Sequence, residues 1–321
     1  MIVYRELSSL EHDLGISAKR LYAVSNSIGK HYRKGSIPKK SGGCRNLSVP
    51  DEVLKAIQKQ ILDVLLVHMP VSRYAKAYRF GSSTLRNARH HVGRQVVLKL
   101  DILHFFDSIR YSTVKDKAFP EEIYAEPLRI LLTMLCYYKD ALPQGAPSSP
   151  AITNIILCEF DEQIGQWCRA RGIAYTRYCD DMTFSGNFDP AEVIPFVRLE
   201  LKKMGFLLNE QKTRIQRPGQ QQNVTGIVVN ERLSIPADYR RRLQQELYYC
   251  RKFGIRDHLQ KIGLEIPEDT YRMQLLGKVN YVLQAHPDDQ DMLDARKWLQ
   301  INCREDAAAA SGGAFHPGER S

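Results

Sequence analysis

The sequence predicts an α+β fold, an antiparallel sheet of the split βαβ type with helices packed on one face. Three observations predict it. The run "QVVLKLDI" (95–102) has the length and branched apolar content of a buried strand and ends on a carboxylate. "AYTRYCDDMTFSG" (174–186) alternates on either side of a tight acidic turn, as a hairpin does. Helical periodicities lie between and after these segments, so the order is strand, helices, hairpin, helix, strand, which suits an antiparallel sheet.

In chain order, residues 11–32 read as one or two short helices. "RKGSIPKKSGGCRNLSVP" (33–50) carries too much Gly, Pro and Lys for a long helix and reads as a basic hairpin or loop. Asp51 then stands as the cap of an amphipathic helix with Leu54, Ile57, Ile61, Leu65 and His68 at helical spacing, stopped by Pro70. After the strand at 95–102, Ser149 and Pro150 occupy the cap and first positions of a helix. Its apolar stripe is Ile152, Ile156, Phe160, Ile164 and Trp167, ending at Gly172. Beyond the hairpin, Asp189 and Pro190 open a helix that reaches Gly205, and "FLLNEQKTRI" and "VTGIVVN" read as strands. From Pro236 a separate helical module begins, with Leu243, Leu247 and Cys250 on one side and Arg240, Arg241, Arg242, Arg251 and Lys252 largely elsewhere. The end, "DAAAASGGAFHPGERS" (306–321), has no hydrophobic period and reads as a disordered tail. No internal repeat is present.

The chain's 321 residues, 43% of them hydrophobic, can build two or three packed subdomains. A net charge of +10 and a pI near 9.2 point to a polyanionic partner. No apolar stretch is long enough to span a membrane, and the N-terminus lacks a signal-peptide pattern, so a cytoplasmic chain is expected. Seven scattered cysteines without a C-x-x-C pair read as reduced, small apolar residues and argue against a zinc site.

The chemistry centres on carboxylates. Asp101 ends a buried strand, and Asp180 and Asp181 sit on the hairpin turn; if the two strands are neighbours, three carboxylates converge at one edge of the sheet. Adjacent carboxylates repel, and a divalent cation offsets that cost. A lone Asp-Asp pair is more often a solvated turn, so other residues have to support the metal. "LPQGAPSSP" (142–150) opens directly into a helix with free N–H groups suited to an anionic or sugar-bearing ligand, although an ordinary turn reads the same way. "KKSGGCRNLSVP" offers Lys39, Lys40 and Arg45 around two glycines, either a triphosphate clamp or a solvated basic loop. Lys212, in "NEQKTRI", is a proton donor near the same site or a surface lysine.

Taken in order, "LKLDILHFFDSI", "LPQGAPSSPAITNI", "YTRYCDDMTFS" and "LNEQKT" resemble the palm of a reverse transcriptase, over roughly residues 30–300. "NARHH", with Asn87, Ala88 and His91, is similar to the NAxxH pattern of bacterial retron reverse transcriptases, and "NVTGIVV" carries their VTG at Val224, Thr225 and Gly226. The resemblance implies a right-hand polymerase: N-terminal helices and fingers over 1–94, a palm over 95–230 with part of the fingers inserted at about 110–145, and a helical thumb with RNA recognition over 231–305.

Residue by residue, the resemblance implies two Mg²⁺ ions on Asp101, Asp180 and Asp181, with the carbonyl of Ile102 as a further ligand. Phe106 would be the steric gate that excludes a ribonucleotide 2'-OH. Gln144 and Gly145 would lie against the incoming nucleotide, Arg45 and Lys40 on its phosphates, and Lys212 near the leaving pyrophosphate. Asn87, His91, Val224, Thr225 and Gly226 would serve RNA recognition, and Arg240, Arg241 and Arg242, with interleaved Tyr239, Tyr248 and Tyr249, would grip a duplex. Where retron enzymes read Tyr-Ala-Asp-Asp, this chain has Cys179, for which retained activity, altered processivity or fidelity and some sensitivity to thiol reagents are expected.

The implied activity is RNA-directed DNA synthesis from dNTPs. The template would be a structured noncoding RNA, primed from a guanosine 2'-OH to give RNA-linked single-stranded DNA (msDNA), in an antiphage defence system with a host RNase H and an effector protein as partners. The alternatives are another bacterial reverse transcriptase, such as a group II intron enzyme, and a catalytically silent RNA-binding scaffold. Three intact carboxylates count against the scaffold.

Overall fold

A computed structural model describes residues 3–38 and 42–311, with side chains as far as 301. The chain divides between Gln220 and Gln221 into two compact units.

The first unit opens with helices α1 (Leu7–Leu14) and α2 (Ala18–Asn26), followed by an antiparallel hairpin of β1 (Tyr32–Pro38) and β2 (Cys44–Pro50). This is the basic stretch, and its paired part is a hairpin. Asp51 accepts from the Leu54 N–H at 2.8 Å and caps α3 (Glu52–Gln60). The predicted helix loosens after Gln60 into a π turn (Ile61–Leu65) and a 3₁₀ turn (Leu66–His68), while Leu54, Ile57, Ile61 and Leu65 remain buried.

Ser83 caps the short α4 (Thr84–Arg89), which leads into the central strand β3 (Val96–Leu103). Helices α5 (Tyr111–Ala118) and α6 (Glu126–Cys136) follow. The long stripe predicted from Ile152 to Trp167 is divided between α7 (Ser149–Ile156) and α8 (Cys158–Arg169), with Leu157 outside helical geometry. The apolar spacing survives the break, which is why periodicity did not reveal it. Ser149 stands at the first helical position and Ser148 at the cap.

Strands β4 (Ala174–Tyr178) and β5 (Asp181–Gly186) form the predicted hairpin, and Asp189 caps α9 (Pro190–Lys203) through the Ala191 N–H. "FLLNEQKTRI" is two short strands, β6 (Leu207–Leu208) and β7 (Arg214–Gln216), joined by a 3₁₀ turn over Glu210–Lys212. Both pair with β3, β6 at its end and β7 at its start, and the sheet order is β4-β5-β3-β6.

Register assigns the faces. Tyr175 pairs with Phe184 and their rings stack at 4.9 Å in the helix-covered core. The next positions, Thr176 paired with Thr183, share the opposite face with Ser185 and Asp181. That face is also shielded at one end: the His91 ring hydrogen-bonds Thr176 Oγ1 and Ser185 Oγ, both at 2.7 Å. Hydroxyls line this face with acids at its far end, while the helix-covered side is apolar apart from the buried Arg177.

The second unit begins with a hairpin of β8 (Asn223–Val224) and β9 (Ile227–Val228), where a single strand was expected. Its turn is Thr225 and Gly226, with φ of 49° and 83°, the left-handed pair of a two-residue hairpin. Helices α10 (Ala237–Phe253), α11 (Ile255–Ile262), α12 (Glu268–Ala285) and α13 (Gln290–Ser311) complete it, and Leu243, Leu247 and Cys250 are buried as their spacing predicts. α13 extends over 306–311, where a disordered tail was expected. The alanine run there has the highest helix propensity of any residue type and continues a helix already nucleated. Residues 312–321 lie outside the described part of the chain. Among the described residues no helix is long and apolar enough to cross a membrane.

Candidate active site

The antiparallel register of β3 and β5 sets Asp101 directly opposite Asp181, and the Ile102 N–H donates to the Asp180 carbonyl at 3.2 Å. The three acids therefore gather at one end of the sheet, two at paired strand positions and one on the turn between β4 and β5. Asp101 is buried, and both its carboxylate oxygens are engaged: Asn209 Nδ2 donates to Oδ1 at 2.9 Å and Lys212 Nζ to Oδ2 at 2.7 Å. The step between β6 and β7 makes this possible, because Asn209 N–H bonds the Asp101 carbonyl and the 3₁₀ turn then swings Lys212 onto the carboxylate. A continuous strand would alternate Lys212 along the sheet instead.

Burial, and then the charges of Asp180 and Asp101, push the Asp181 carboxyl up to about 6. For Lys212, burial works against the ammonium, but the hydrogen bond and charge of Asp101 with the two neighbouring acids outweigh it and raise its pKa. The site holds an excess of negative charge that the ammonium groups of Lys212 and Lys99 partly offset. Its donors, carboxylate oxygens, match the preference of a hard divalent cation. Among the described residues no three His, Cys, Asp or Glu groups stand close enough together to hold a metal ion, and the Lys212 ammonium takes the position of positive charge.

The turn carrying Asp180 is held from beneath. Arg177 and Asp161, both fully buried, form a bidentate pair (Nη2 to Oδ2 2.6 Å, Nε to Oδ1 2.9 Å), and Arg177 Nη1 donates to the Cys179 carbonyl at 2.8 Å. Tyr175 OH adds a bond to Asp161 Oδ1 at 2.8 Å. Cys179 itself adopts φ of 62°, and Tyr78 OH approaches its Sγ at 3.6 Å from a residue with φ of 56°. Positive φ in a tyrosine beside the acidic turn marks a strained, closely held segment. The Cys179 thiol is buried and pushed up to about 12, first by burial and then by Asp180. Its burial and raised pKa argue against the expected sensitivity to thiol reagents.

Sequence reading missed Arg177, Asp161, Asn209 and Tyr78. A usable signal existed for one pair: Asp161 lies in the apolar stripe beside Phe160, and Arg177 is a charge inside a buried strand, so each called for an opposite partner.

Phe106 follows His104, whose φ of 48° turns the chain out of β3, and it is half-buried with its ring 5.4 Å from that of Phe105. Its carbonyl accepts from the Leu142 N–H at 3.1 Å, tying it to the start of the 142–150 loop. In that loop the Gln144 carbonyl accepts from the Ser48 N–H at 2.9 Å, and Gly145, at φ 121°, leaves a Cβ only 2.9 Å from the Ser48 carbonyl. Only glycine permits this approach. The loop is thereby docked on β2, the strand carrying exposed Arg45. Lys40 lies outside the described residues.

Asn87 and His91 are fully buried, His91 with both ring nitrogens engaged by the sheet. Their burial conflicts with a direct RNA contact and gives them a packing role beneath it. Val224 is likewise buried, whereas Gly226 is exposed on the turn. The three arginines of α10 are not equivalent. Arg240 bonds Asp289, Arg242 pairs with Asp238 one turn away at 2.7 Å, and Arg241 is exposed. On the same helix Lys252 Nζ lies over the rings of exposed Tyr248 and Phe253, at 5.5 and 5.3 Å.

Comparison with known proteins supplies the family. Residues 37–231 match the model described as "Reverse transcriptase (RNA-dependent DNA polymerase)". The chain is 34% identical to the retron Mx65 reverse transcriptase of Myxococcus xanthus over 319 residues, covering 92% of this chain and 72% of that protein. It is 32% identical to the retron Mx162 reverse transcriptase of the same organism, covering 74% and 57%. With the retron Ec86 reverse transcriptase of Escherichia coli it shares 29% identity, covering 80% and 82%. An α+β chain with its acids paired across an antiparallel sheet, matched in this way along most of its length, belongs to the reverse transcriptase family, as a retron-type RNA-directed DNA polymerase.

Proposed function

We propose that this polymerase copies a structured noncoding RNA, primed from a guanosine 2'-OH of that RNA, into RNA-linked single-stranded DNA. It would work in the cytoplasm within an antiphage defence system, with a host RNase H removing copied template and a separate effector protein. Identity to retron enzymes over most of the chain supports this reading. For the chemistry, the carrying observation is the Asp101–Asp181 register with Lys212 bonded to Asp101.

In each cycle a primer hydroxyl attacks the α-phosphate of a deoxynucleotide and pyrophosphate departs. Asp101, Asp180 and Asp181, with the Ile102 carbonyl, would hold two Mg²⁺ ions. When bound, such ions supply charge neutralisation to the phosphates and acidify the attacking hydroxyl. Lys212, which bonds Asp101 at 2.7 Å, would meet the negative charge developing on pyrophosphate. Phe106 would exclude a 2'-OH, Gln144 and Gly145 would position the nucleotide, and Arg45 with Lys40 would bind its phosphates. Thr225 and Gly226 at their turn, and Arg241 on α10, would contact RNA, with Val224, Asn87, His91, Arg240 and Arg242 holding those surfaces in shape.

The test is to express the gene with its native flanking DNA, purify the protein and characterise the nucleic acid that accompanies it. DNA joined to RNA by a bond that a 2',5'-debranching enzyme cleaves is the expected result. RNA without attached DNA, from active and Asp180→Ala/Asp181→Ala protein alike, would favour the scaffold alternative.

A further inference from the structure

A second polar cavity lies at the outer edge of β4, away from the carboxylates. It has a volume of about 270 Å³, and its walls include Arg73, Tyr74, Lys76, His90, Arg169 and Thr176. Segment 74–76 runs beside β4 as a short added strand: the Arg177 N–H donates to the Tyr74 carbonyl at 2.9 Å and the Lys76 N–H to the Arg177 carbonyl at 2.7 Å. Ala174, in the cavity wall, is four positions before Tyr178, which pairs with Asp181. Thr176, also in the wall, is two positions before Tyr178, so the cavity extends from roughly 7 to 13 Å along the strand from the acidic end.

The cavity is built rather than incidental. The Tyr74 ring lies so close to Gly165 on α8 that a Cβ there would sit 2.0 Å from the ring. Arg169 Nη2 donates to Tyr74 OH at 2.7 Å, and the Arg73 guanidinium lies 5.2 Å from the Tyr74 ring centre. These contacts hold two guanidinium groups at the cavity without neutralising either. The acid near Arg73 is Glu162, at 3.9 Å and already accepting from Ser72 Oγ at 2.7 Å. Among the described residues no carboxylate lies within ion-pair distance of Lys76, His90 or Arg169. Lys76 is pushed down by burial and by Arg79, and His90 by burial and by Lys76. An ammonium and two guanidinium groups thus line one polar cavity, with Glu162 beside Arg73 as the acid within ion-pair distance of them among the described residues.

Such an arrangement is stabilised by an anion, and the donors select which. Two planar guanidinium forks, an ammonium and an aromatic wall match a phosphodiester better than a carboxylate, which would need only one fork. The volume admits a phosphate with its sugar and excludes a duplex, so the strand passes the mouth and inserts one backbone group. We propose that Arg73, Lys76, His90 and Arg169 bind a backbone phosphate of the RNA, forming a contact at the rear edge of the palm sheet. This rests on the reverse transcriptase assignment and adds to it an anchoring point outside the catalytic cleft.

The test uses the full chain, a Lys76→Gln/Arg169→Gln variant, and a Lys19→Gln/Arg20→Gln control that removes the same charge from exposed positions of α2. Binding of a labelled stem-loop RNA with a poly(A) tail is measured across salt concentrations, and extension is measured separately on a short oligo(dT)-primed oligo(A). The expected result is about tenfold weaker stem-loop binding with a log–log salt slope shallower by about one in the cavity variant, beyond any change in the control. Short-template extension stays at the wild-type rate. Stem-loop affinity and slope equal to those of the control would overturn the proposal. Saturable binding of inorganic phosphate, lost in the cavity variant while RNA affinity is unchanged, would also overturn it by assigning the cavity to a free anion. Absence of extension by the wild type would count against the polymerase assignment instead, and the binding comparison reads out independently of it.

Discussion

Lys212 Nζ sits 2.7 Å from Asp101 Oδ2, joining the 3₁₀ turn between β6 and β7 to the end of the central strand. The pair holds an ammonium at the acidic end of the sheet, from where, in the proposed reaction, it would meet the leaving pyrophosphate. Lys212→Ala is expected to slow single-nucleotide addition about a hundredfold, within the range typical of a lost proton donor. Rapid-quench extension at saturating dNTP checks this, and a rate within twofold of wild type would remove Lys212 from the chemistry.

The Phe106 backbone is tied to Leu142 by its carbonyl and its ring makes an edge contact with Phe105, and as the proposed gate it would exclude a larger sugar. Phe106→Val is expected to cut discrimination against ribonucleotides by at least about tenfold, as deleting a steric contact does. Competing dGTP and rGTP on one template measures the ratio; an unchanged ratio would place the gate elsewhere.

The Arg177–Asp161 pair is fully buried, so removing one partner leaves a charge without compensation. Arg177→Met should destabilise the protein by about 3–5 kcal/mol, and the double variant Arg177→Met/Asp161→Leu should recover much of that loss. Urea unfolding of the three proteins decides it. A double variant no more stable than Arg177→Met would mean that the bond to the Cys179 carbonyl dominates.

Burial, with His90, Arg94 and Lys76 nearby, holds the His91 imidazole down to about 3, against 6.5 in an exposed chain. Below 6.5 the unfolded chain binds a proton that the folded one refuses. The stability His91 contributes is therefore complete above 6.5 and is lost as pH falls toward 3, by about 1.4 kcal/mol per unit. Denaturation midpoints between pH 7 and pH 5 should fall more steeply for wild type than for His91→Gln. Parallel curves would show that His91 takes its proton without unfolding.

Arg240 and Arg241 adjoin in sequence but differ in surroundings, one bonded to Asp289 and the other exposed. Arg241→Gln should weaken RNA binding and reduce its salt slope by about one, while Arg240→Gln should act mainly on thermal stability. Identical effects of the two would mean that α10 meets RNA through both.

Much of the sheet was legible because strands and acids carry local signals: "QVVLKLDI" has a run and a terminus, and "CDD" has a turn. What stayed illegible depends on contacts distant in sequence. The break at Leu157 preserves apolar spacing, so periodicity reads through it. The split of "FLLNEQKTRI" arises where Asn209 bonds the Asp101 carbonyl, a partner more than a hundred residues away. Resemblance alone assigns His91 to RNA recognition, because nothing adjacent to it in sequence announces the hydroxyls of Thr176 and Ser185. The uneven roles of Arg240, Arg241 and Arg242 follow from Asp289, which no helical pattern within α10 can reveal.

The anchorage of the acidic turn has a consequence for what position 179 tolerates. Arg177 grips the backbone carbonyl of residue 179 and leaves its side chain uninvolved, so the turn's shape is specified from behind, independently of which small residue occupies that position. A small side chain can therefore be exchanged at position 179 without altering what holds the backbone of the carboxylate turn. The turn's shape depends instead on Arg177 and Asp161, a buried pair in which loss of either partner strands the other's charge.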